Sequence, residues 1–259
     1  MTNTSTINPF YAGRLKRVAP QTEERDRHVY ARLPHAPKNA SPVPHLTSLY
    51  HFHRAGDYGD RKWPGNCGGN LIKDLLHYFQ PGGLVCDPMA GSGTARDVCQ
   101  EMRIPCMAFD IHQGFDACDP HAFPGEANFD FIWAHPPYWR QKLYSDDPRD
   151  LSRSPTLDDF LRRYGQFIRN CARAVKPGGK VAILMGDYLD REVGFVPLTF
   201  HTKRLAFAVG LRQCCTDIIR FSHGASSSKK VYRSSFIPGL HDTCMVFERA
   251  TLNDGGVMP

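Results

Sequence analysis

Apolar residues in this chain fall into two alternating rhythms from about Gly65 onward. Short runs such as Val85-Cys86, Phe129-Asp130-Phe131-Ile132-Trp133 and Val181-Ala182-Ile183-Leu184-Met185 have strand length and are bounded by Gly, Pro and Asp. Between them lie segments with apolar residues three and four apart, the spacing of a core-facing helix stripe. One example is Phe160, Leu161, Tyr164, Phe167, Ile168, Cys171 and Val175. The pattern predicts strands near Gly83–Asp87, Cys106–Ile111, Phe129–Ala134, Lys180–Gly186, Arg212–Phe221 and Thr243–Glu248. It predicts helices near Leu71–Phe79, Thr94–Met102, Leu157–Ala174 and Pro197–Val209. Strands alternating with helices imply an α/β domain with a mostly parallel sheet and crossover helices.

The first half-hundred residues break this rhythm. Pro20, Pro34, Pro37, Pro42 and Pro44 stand among polar residues without a sustained period, so residues 1–49 read as an extended or partly ordered arm and residues 50–259 as the folded domain. The chain has 259 residues and 41% hydrophobic content, enough for one sizeable core. It shows neither an apolar run of membrane-spanning length nor a secretory leader pattern, and a cytoplasmic protein is expected. Nine scattered cysteines with no C-x-x-C pair are expected to be small core residues; His51 and His53 form an H-x-H pair with no third ligand, so no metal is expected. The net charge of +6 is concentrated. Residues 1–50 hold seven Lys/Arg against three Asp/Glu. Arg220, Lys229, Lys230 and Arg233 occur without an acid around a Ser/Gly-rich segment, which suits a phosphate backbone or, equally simply, a solvated loop.

Two motifs carry candidate chemistry. In the first, an apolar strand runs into Asp87-Pro88-Met89-Ala90-Gly91-Ser92-Gly93-Thr94, a small-residue turn opening a helix, where backbone and a nucleotide-like ligand can approach closely. In the second, a strand ends in His135-Pro136-Pro137-Tyr138, whose stiff Pro-Pro turn fixes a polar acceptor beside an aromatic ring. Asp87, Asp110 and His135 each stand at the carboxyl end of a predicted strand, the edge where open parallel sheets bind ligands.

These segments resemble the DNA amino-methyltransferases, which use S-adenosylmethionine to modify adenine N6 or cytosine N4. Residues 87–94 are similar to that family's cofactor motif, with Met89 in place of the usual Phe, and residues 135–138 to its catalytic tetrad, with His135 in place of Asp, Asn or Ser. The resemblance extends from about Tyr50 to Ala250 and takes in Trp63-Pro64-Gly65-Asn66, Phe109-Asp110-Ile111 and Lys176-Pro177-Gly178-Gly179. It implies a Rossmann-like methyltransferase fold: a mostly parallel seven-stranded sheet with one antiparallel strand near its end and helices on both faces. It further implies that Asp87 and the Gly91-Ser92-Gly93-Thr94 turn hold the amino-acid end of S-adenosyl-L-methionine, with Pro88, Met89 and Ala90 also in the cofactor site. By the same resemblance Asp110 holds the ribose with Ile111 beside it in the cofactor site, Asp116 the adenine amino group, with Asp119 as its alternative, and Asn66 contributes from the preceding segment.

An exocyclic amine is a poor nucleophile because its lone pair is delocalised into the ring. Acceptors on its two hydrogens favour the pyramidal nitrogen, and the resemblance gives these roles to His135 and the Pro136 carbonyl, with Pro137 stiffening the turn and Tyr138 stacking on a flipped base. Only a neutral imidazole can accept, so activity is expected to rise with pH through the histidine titration, lowered by a neighbouring sulfonium. Asp187 and the Tyr144–Asp147 loop are further candidates to border the cleft.

The stretch after Trp139 is nearly consumed by the remaining strands and helices, so no large target-recognition domain is expected within it. Specificity falls to the arm, to the loops, with Lys229, Lys230 and Arg233 as nucleic-acid contacts, or to a second subunit, so a homodimer stays open. The expected partner is DNA, as for an orphan or restriction-modification enzyme. The alternatives are an RNA base N-methyltransferase and a non-catalytic nucleic-acid binder with a degraded tetrad.

Overall fold

The structure is a computed structural model that describes residues 40–51, 56–221, 237 and 239–251. Its strands are β1 (Leu49–Tyr50), β2 (Val85–Asp87), β3 (Cys106–Ala108), β4 (Phe129–Ala134), β5 (Val175–Met185), β6 (Tyr188–Asp190), β7 (Gly194–Val196), β8 (Leu211–Gln213), β9 (Ile218–Phe221) and β10 (His241–Arg249). Its α-helices are α1 (Asn70–Phe79), α2 (Thr94–Met102), α3 (Leu157–Ala174) and α4 (Leu198–Ala208). All four helices lie where the three-to-four spacing puts them.

The main sheet has the order β1-β9-β10-β5-β4-β2-β3, with β8 beside β10. β10 runs antiparallel to β5, β8 and β9, while β2–β3, β2–β4, β4–β5 and β1–β9 are parallel. This is the Rossmann-like architecture that the resemblance implies. The predicted strand Arg212–Phe221 is instead two segments along one edge of β10. Gln213 pairs with Phe247, the Cys214 N–H still donates to the Val246 carbonyl, and Ile218 pairs with Cys244, so residues 215–217 bulge out of the ladder. Taken as one interrupted strand, β8 and β9 bring the eight-stranded sheet to the seven expected. The short β6–β7 hairpin and β1 have no counterpart in the periodicity, being too brief for a period-two pattern to show.

Strand alternation divides the core into two layers. Val85, Phe131, Trp133, Ala182, Leu184, Cys244 and Val246 pack with α1 and α2 residues such as Ile72, Leu75 and Val98. Their neighbours Cys86, Ile132, Ala134, Val181, Ile183, Met245 and Phe247 pack with α3 and α4 through Phe160, Phe167 and Leu198. Helices therefore cover both faces, and the central strands read as continuous apolar runs. Phe129 joins the second layer although Phe131 joins the first, because the β4–β5 register shifts between them. Six of the nine cysteines, Cys67, Cys86, Cys99, Cys118, Cys171 and Cys244, are buried free thiols.

The expected break between arm and domain at 49/50 falls inside packed structure. Val43 is buried, Leu46 packs on the α1/α2 layer, and His45 and the Tyr50 hydroxyl reach Asp74 of α1 at 2.9 and 2.6 Å. Among the described residues no helix is long and apolar enough to cross a membrane. Truncating Phe167, fully buried under the α3 face, is expected to cost about 3–5 kcal/mol. Urea unfolding of Phe167→Ala measures this, and a loss under about 1 kcal/mol would contradict the layer assignment.

Candidate functional site

The chain leaves β2, builds β3 on one side, and returns to place β4 on the other. The carboxyl ends of β2 and β4 thus flank a topological switch point, where an open parallel sheet leaves a crevice. A cleft of about 810 Å³, counting its open mouth, lies there. Of the sequence-predicted residues, Asp87, Pro88, Met89, Ala90, Gly91, Thr94, Asp110, Ile111, Asp116, His135 and Pro137 line it. The two motifs share one cavity.

The turn after β2 is shaped by its glycines. Gly91 (φ 44°) and Gly93 (φ 79°) adopt left-handed backbone, and Gly93, which lies outside the lining, caps α2 with no side-chain help. A Cβ on Gly91 would sit 2.9 Å from Nε1 of Trp63, so the indole can lie over the turn only because Gly91 has no side chain. Asp110 ties this turn to the end of β3: Oδ2 accepts the Gly91 N–H at 2.8 Å, and Oδ1 meets the His112 N–H and Nδ1 at 3.0 and 2.6 Å. A carboxylate has about four lone-pair sites. Asp110 therefore keeps one, on Oδ2, for a ligand hydroxyl. β3 ends at Ala108 and not at Ile111, because Asp110 caps a 3-10 turn over Ile111–Gln113.

Asp87 is buried, and among the described residues only the Met89 N–H, at 3.2 Å, reaches its carboxylate. Burial, opposed in part by that hydrogen bond and reinforced by nearby Asp110, pushes it up to about 7. A buried carboxylate with one backbone donor is a seat for a cation. Asp116 accepts the Cys118 N–H at 2.9 Å and has Arg163 at 3.7 Å. It lines the cleft, whereas the alternative Asp119 does not.

Asn66 lies outside the lining. Its amide donates to the carbonyls of Tyr58 and Asp60 and its oxygen accepts from the Gly68 N–H and the Thr94 hydroxyl, so it braces the wall. Pro136 and Tyr138 also lie outside the lining. The Pro136 ring is buried behind the turn, and among the described residues no backbone donor reaches its carbonyl. Tyr138 is half-buried, packed where a Cβ on Gly186 would lie 2.7 Å from its ring, with its hydroxyl 3.0 Å from both His135 Nε2 and Asp242 Oδ1. Trp139, fully buried with φ 48°, pins the end of the tetrad through Nε1 to the Ser154 carbonyl at 2.9 Å. A left-handed tryptophan is a costly conformation, kept where packing fixes the chain.

Burial holds the His135 imidazole down to about 4, with Arg220 adding to this and Asp242 opposing it. The expected activity rise through a histidine titration is corrected accordingly. The ring is already neutral throughout the physiological range, for a reason internal to the protein. Asp187 is likewise displaced from the cleft, since its carboxylate accepts from the N–H and hydroxyl of Thr199 in the first turn of α4. Arg220 is a largely buried partner of Asp242 and not a surface cation. Lys229, Lys230, Arg233 and His53 lie outside the described residues. Tyr144 borders the cleft, as expected of its loop. His112, Phe115, Arg149, Asp150 and Leu151, which no sequence pattern singled out, border it as well. Asp150 organises the Tyr144 loop by accepting from Ser145 N–H and hydroxyl and from Ser152 N–H.

The chain matches no protein-family model and no curated protein. Among solved structures it is similar to a candidate DNA modification methylase from Thermus thermophilus complexed with S-adenosyl-L-methionine, at 20% identity and TM-score 0.38, covering 56% of each chain. It spans about half the length of that protein. It is also similar to an S-adenosylmethionine-dependent methyltransferase from Archaeoglobus fulgidus, at 16% identity and TM-score 0.42, covering 69% of this chain and 93% of the other. A third is the 1,6-didemethyltoxoflavin-N1-methyltransferase of Burkholderia thailandensis, at 14% identity and TM-score 0.43, covering 70% of this chain and 78% of the other.

The Asp87 carboxyl generates a pH prediction for the protein alone. Its folded value of about 7 lies above the ordinary 3.8, so between those values the folded state binds more protons than the unfolded. Stability without ligand should therefore fall as pH rises from about 4 to about 7. Asp87→Asn should flatten that decline. Parallel melting curves across this window check it, and identical slopes in the two proteins would contradict it.

Proposed function

We propose that this protein is an S-adenosyl-L-methionine-dependent methyltransferase acting on the exocyclic amine of adenine (N6) or cytosine (N4) in DNA. The observation that supports it most is the convergence of the 87–94 turn and the neutral His135 on one cleft at the switch point. The donor set suits the cofactor: a buried carboxylate for its ammonium group, a turn kept open by glycine, and an unfilled carboxylate lone pair for its diol. When bound it supplies an electrophilic methyl group on a sulfonium.

The chain's own residues do the rest. Asp87 ionises against the cationic ligand and, because its value without ligand is about 7, releases part of a proton near neutrality. Asp110 orients the ribose through its spare lone pair, and Asp116 serves the adenine amino group. His135 and the Pro136 carbonyl accept the two amine hydrogens, which turns the nitrogen lone pair toward the methyl group. Pro136 and Pro137 keep those acceptors at a fixed separation. Lys229, Lys230 and Arg233 are assigned to the phosphate backbone.

The test is transfer from isotopically labelled donor to duplex DNA and to RNA, followed by nucleoside analysis. N6-methyladenine or N4-methylcytosine from DNA is expected. Transfer to RNA alone would replace the substrate class, and no transfer to either would sink the reading. His135→Ala should reduce kcat on the order of 10²- to 10⁴-fold while calorimetric donor binding persists. With saturating donor, kcat should show no His135 step between about pH 5 and 8, while the donor KM falls as pH rises toward about 7 and Asp87 ionises. A kcat step between about pH 6 and 7 that His135→Ala abolishes would contradict the assignment.

A further inference from the structure

Neutrality alone does not make His135 an acceptor on the correct side, because a neutral imidazole carries its proton on either nitrogen. We infer that Arg220, Asp242 and Tyr138 form a positioning relay that holds His135 as the Nε2–H tautomer and so leaves Nδ1 as the acceptor open to the cleft. This rests on the proposed amine methylation for the use of Nδ1, but the tautomer itself follows from proton counting.

Asp242 and Arg220 are directly opposite partners on β10 and β9. The guanidinium donates through Nη2 to Asp242 Oδ2 and through Nη1 to the Cys67 carbonyl at 3.3 Å. The other carboxylate oxygen, Oδ1, accepts the Tyr138 hydroxyl at 3.0 Å. A carboxylate salt-bridged to arginine only accepts, so the single phenolic proton is committed to Asp242. The Tyr138 oxygen is also 3.0 Å from His135 Nε2. With its own proton spent, that oxygen can only accept, and the imidazole must donate Nε2–H. A neutral ring then has its lone pair on Nδ1.

Among the described residues Nδ1 has no hydrogen-bond partner. It is also absent from the buried unpartnered atoms, of which Arg220 Nε is the sole one among those residues. It is therefore reachable, on a ring that lines the cleft. Gly186 enforces the arrangement from the end of β5: a Cβ there would lie 2.7 Å from the Tyr138 ring and 2.9 Å from Asp242 Oδ1, so no larger residue fits behind the relay.

Asp242→Asn tests the relay with almost no change of shape. Arg220 should claim the amide oxygen, turning the Asn NH₂ toward Tyr138. The phenol then accepts from it and donates to His135 Nε2, which moves the ring proton to Nδ1 and removes the acceptor from the cleft. The readout is nitrogen-15 spectroscopy of the full chain labelled at its 12 histidines, with His135 assigned by the signal missing in His135→Gln. The wild type should show the Nε2–H pattern and Asp242→Asn the Nδ1–H pattern. Activity should drop on the order of 10²- to 10⁴-fold in kcat with donor affinity kept, as expected when only the tautomer is wrong. Tyr138→Phe keeps the ring and breaks the relay. It should yield a tautomer mixture and an intermediate kcat loss, and it serves if Asp242→Asn does not fold. An Nδ1–H signal in the wild type, or an unchanged His135 signal in whichever folded variant is measured, would overturn the inference. A wild-type Nε2–H signal with no methyl transfer to any nucleic acid would instead leave the relay standing and remove the proposed function.

Discussion

The parallel pairing of β2 with β4, Val85 opposite Phe131 and Cys86 opposite Ile132, is the constraint from which the site follows. Two strands distant in sequence are forced to end side by side, so whatever follows each of them must share one crevice. β2 ends in a buried carboxylate and runs into a turn with left-handed glycines; after β4 comes a rigid proline turn carrying an imidazole. A slip of one residue would exchange the two core layers, moving Phe131 and Trp133 to the face that Ile132 and Ala134 occupy. The mismatch in side-chain volume makes that slip expensive, and the geometry of the cleft inherits its precision from the packing of the sheet.

Much of this was legible in the chain because burial on both faces writes itself as uninterrupted apolar runs, and four amphipathic helices write themselves as a three-to-four period. What escaped were features too short or too local to carry a period. β1 and the β6–β7 hairpin are strands of two and three residues. The break between β8 and β9 comes from a bulge at residues 215–217, a local departure from the ladder that the flanking strand-like residues do not announce. Asp110 looked like a strand-end ligand and proved also to be the cap of a 3-10 turn, which ended β3 early.

The motif residues were found by pattern, and the residues that make them work were not. Asn66 sits within a recognisable segment yet spends its side chain on the wall, since four backbone and hydroxyl partners surround it. Asp242 and Arg220 lie on two late strands with nothing in their neighbours to mark them. Arg220 even read as part of a basic loop. Their meaning is purely tertiary: an antiparallel register sets one opposite the other, beneath Tyr138. A lone charged pair in a sheet is ordinarily a structural matter, and only its third partner gives it a chemical consequence.

The histidine in the tetrad is then less of an anomaly than its sequence context suggests. A carboxylate, amide or hydroxyl in that position accepts a hydrogen bond whatever its surroundings, whereas an imidazole must satisfy two conditions: loss of its proton and placement of the remaining one. Burial meets the first, holding the ring far below its ordinary titration. Tyr138 meets the second through its bond to Nε2. The two conditions draw on different parts of the fold, the desolvated turn after β4 and the β9–β10 ion pair. Loss of either one removes the acceptor. The Arg220–Asp242 pair is by itself an ordinary cross-strand ion pair, and only the Tyr138 hydroxyl carries its orientation on to the ring.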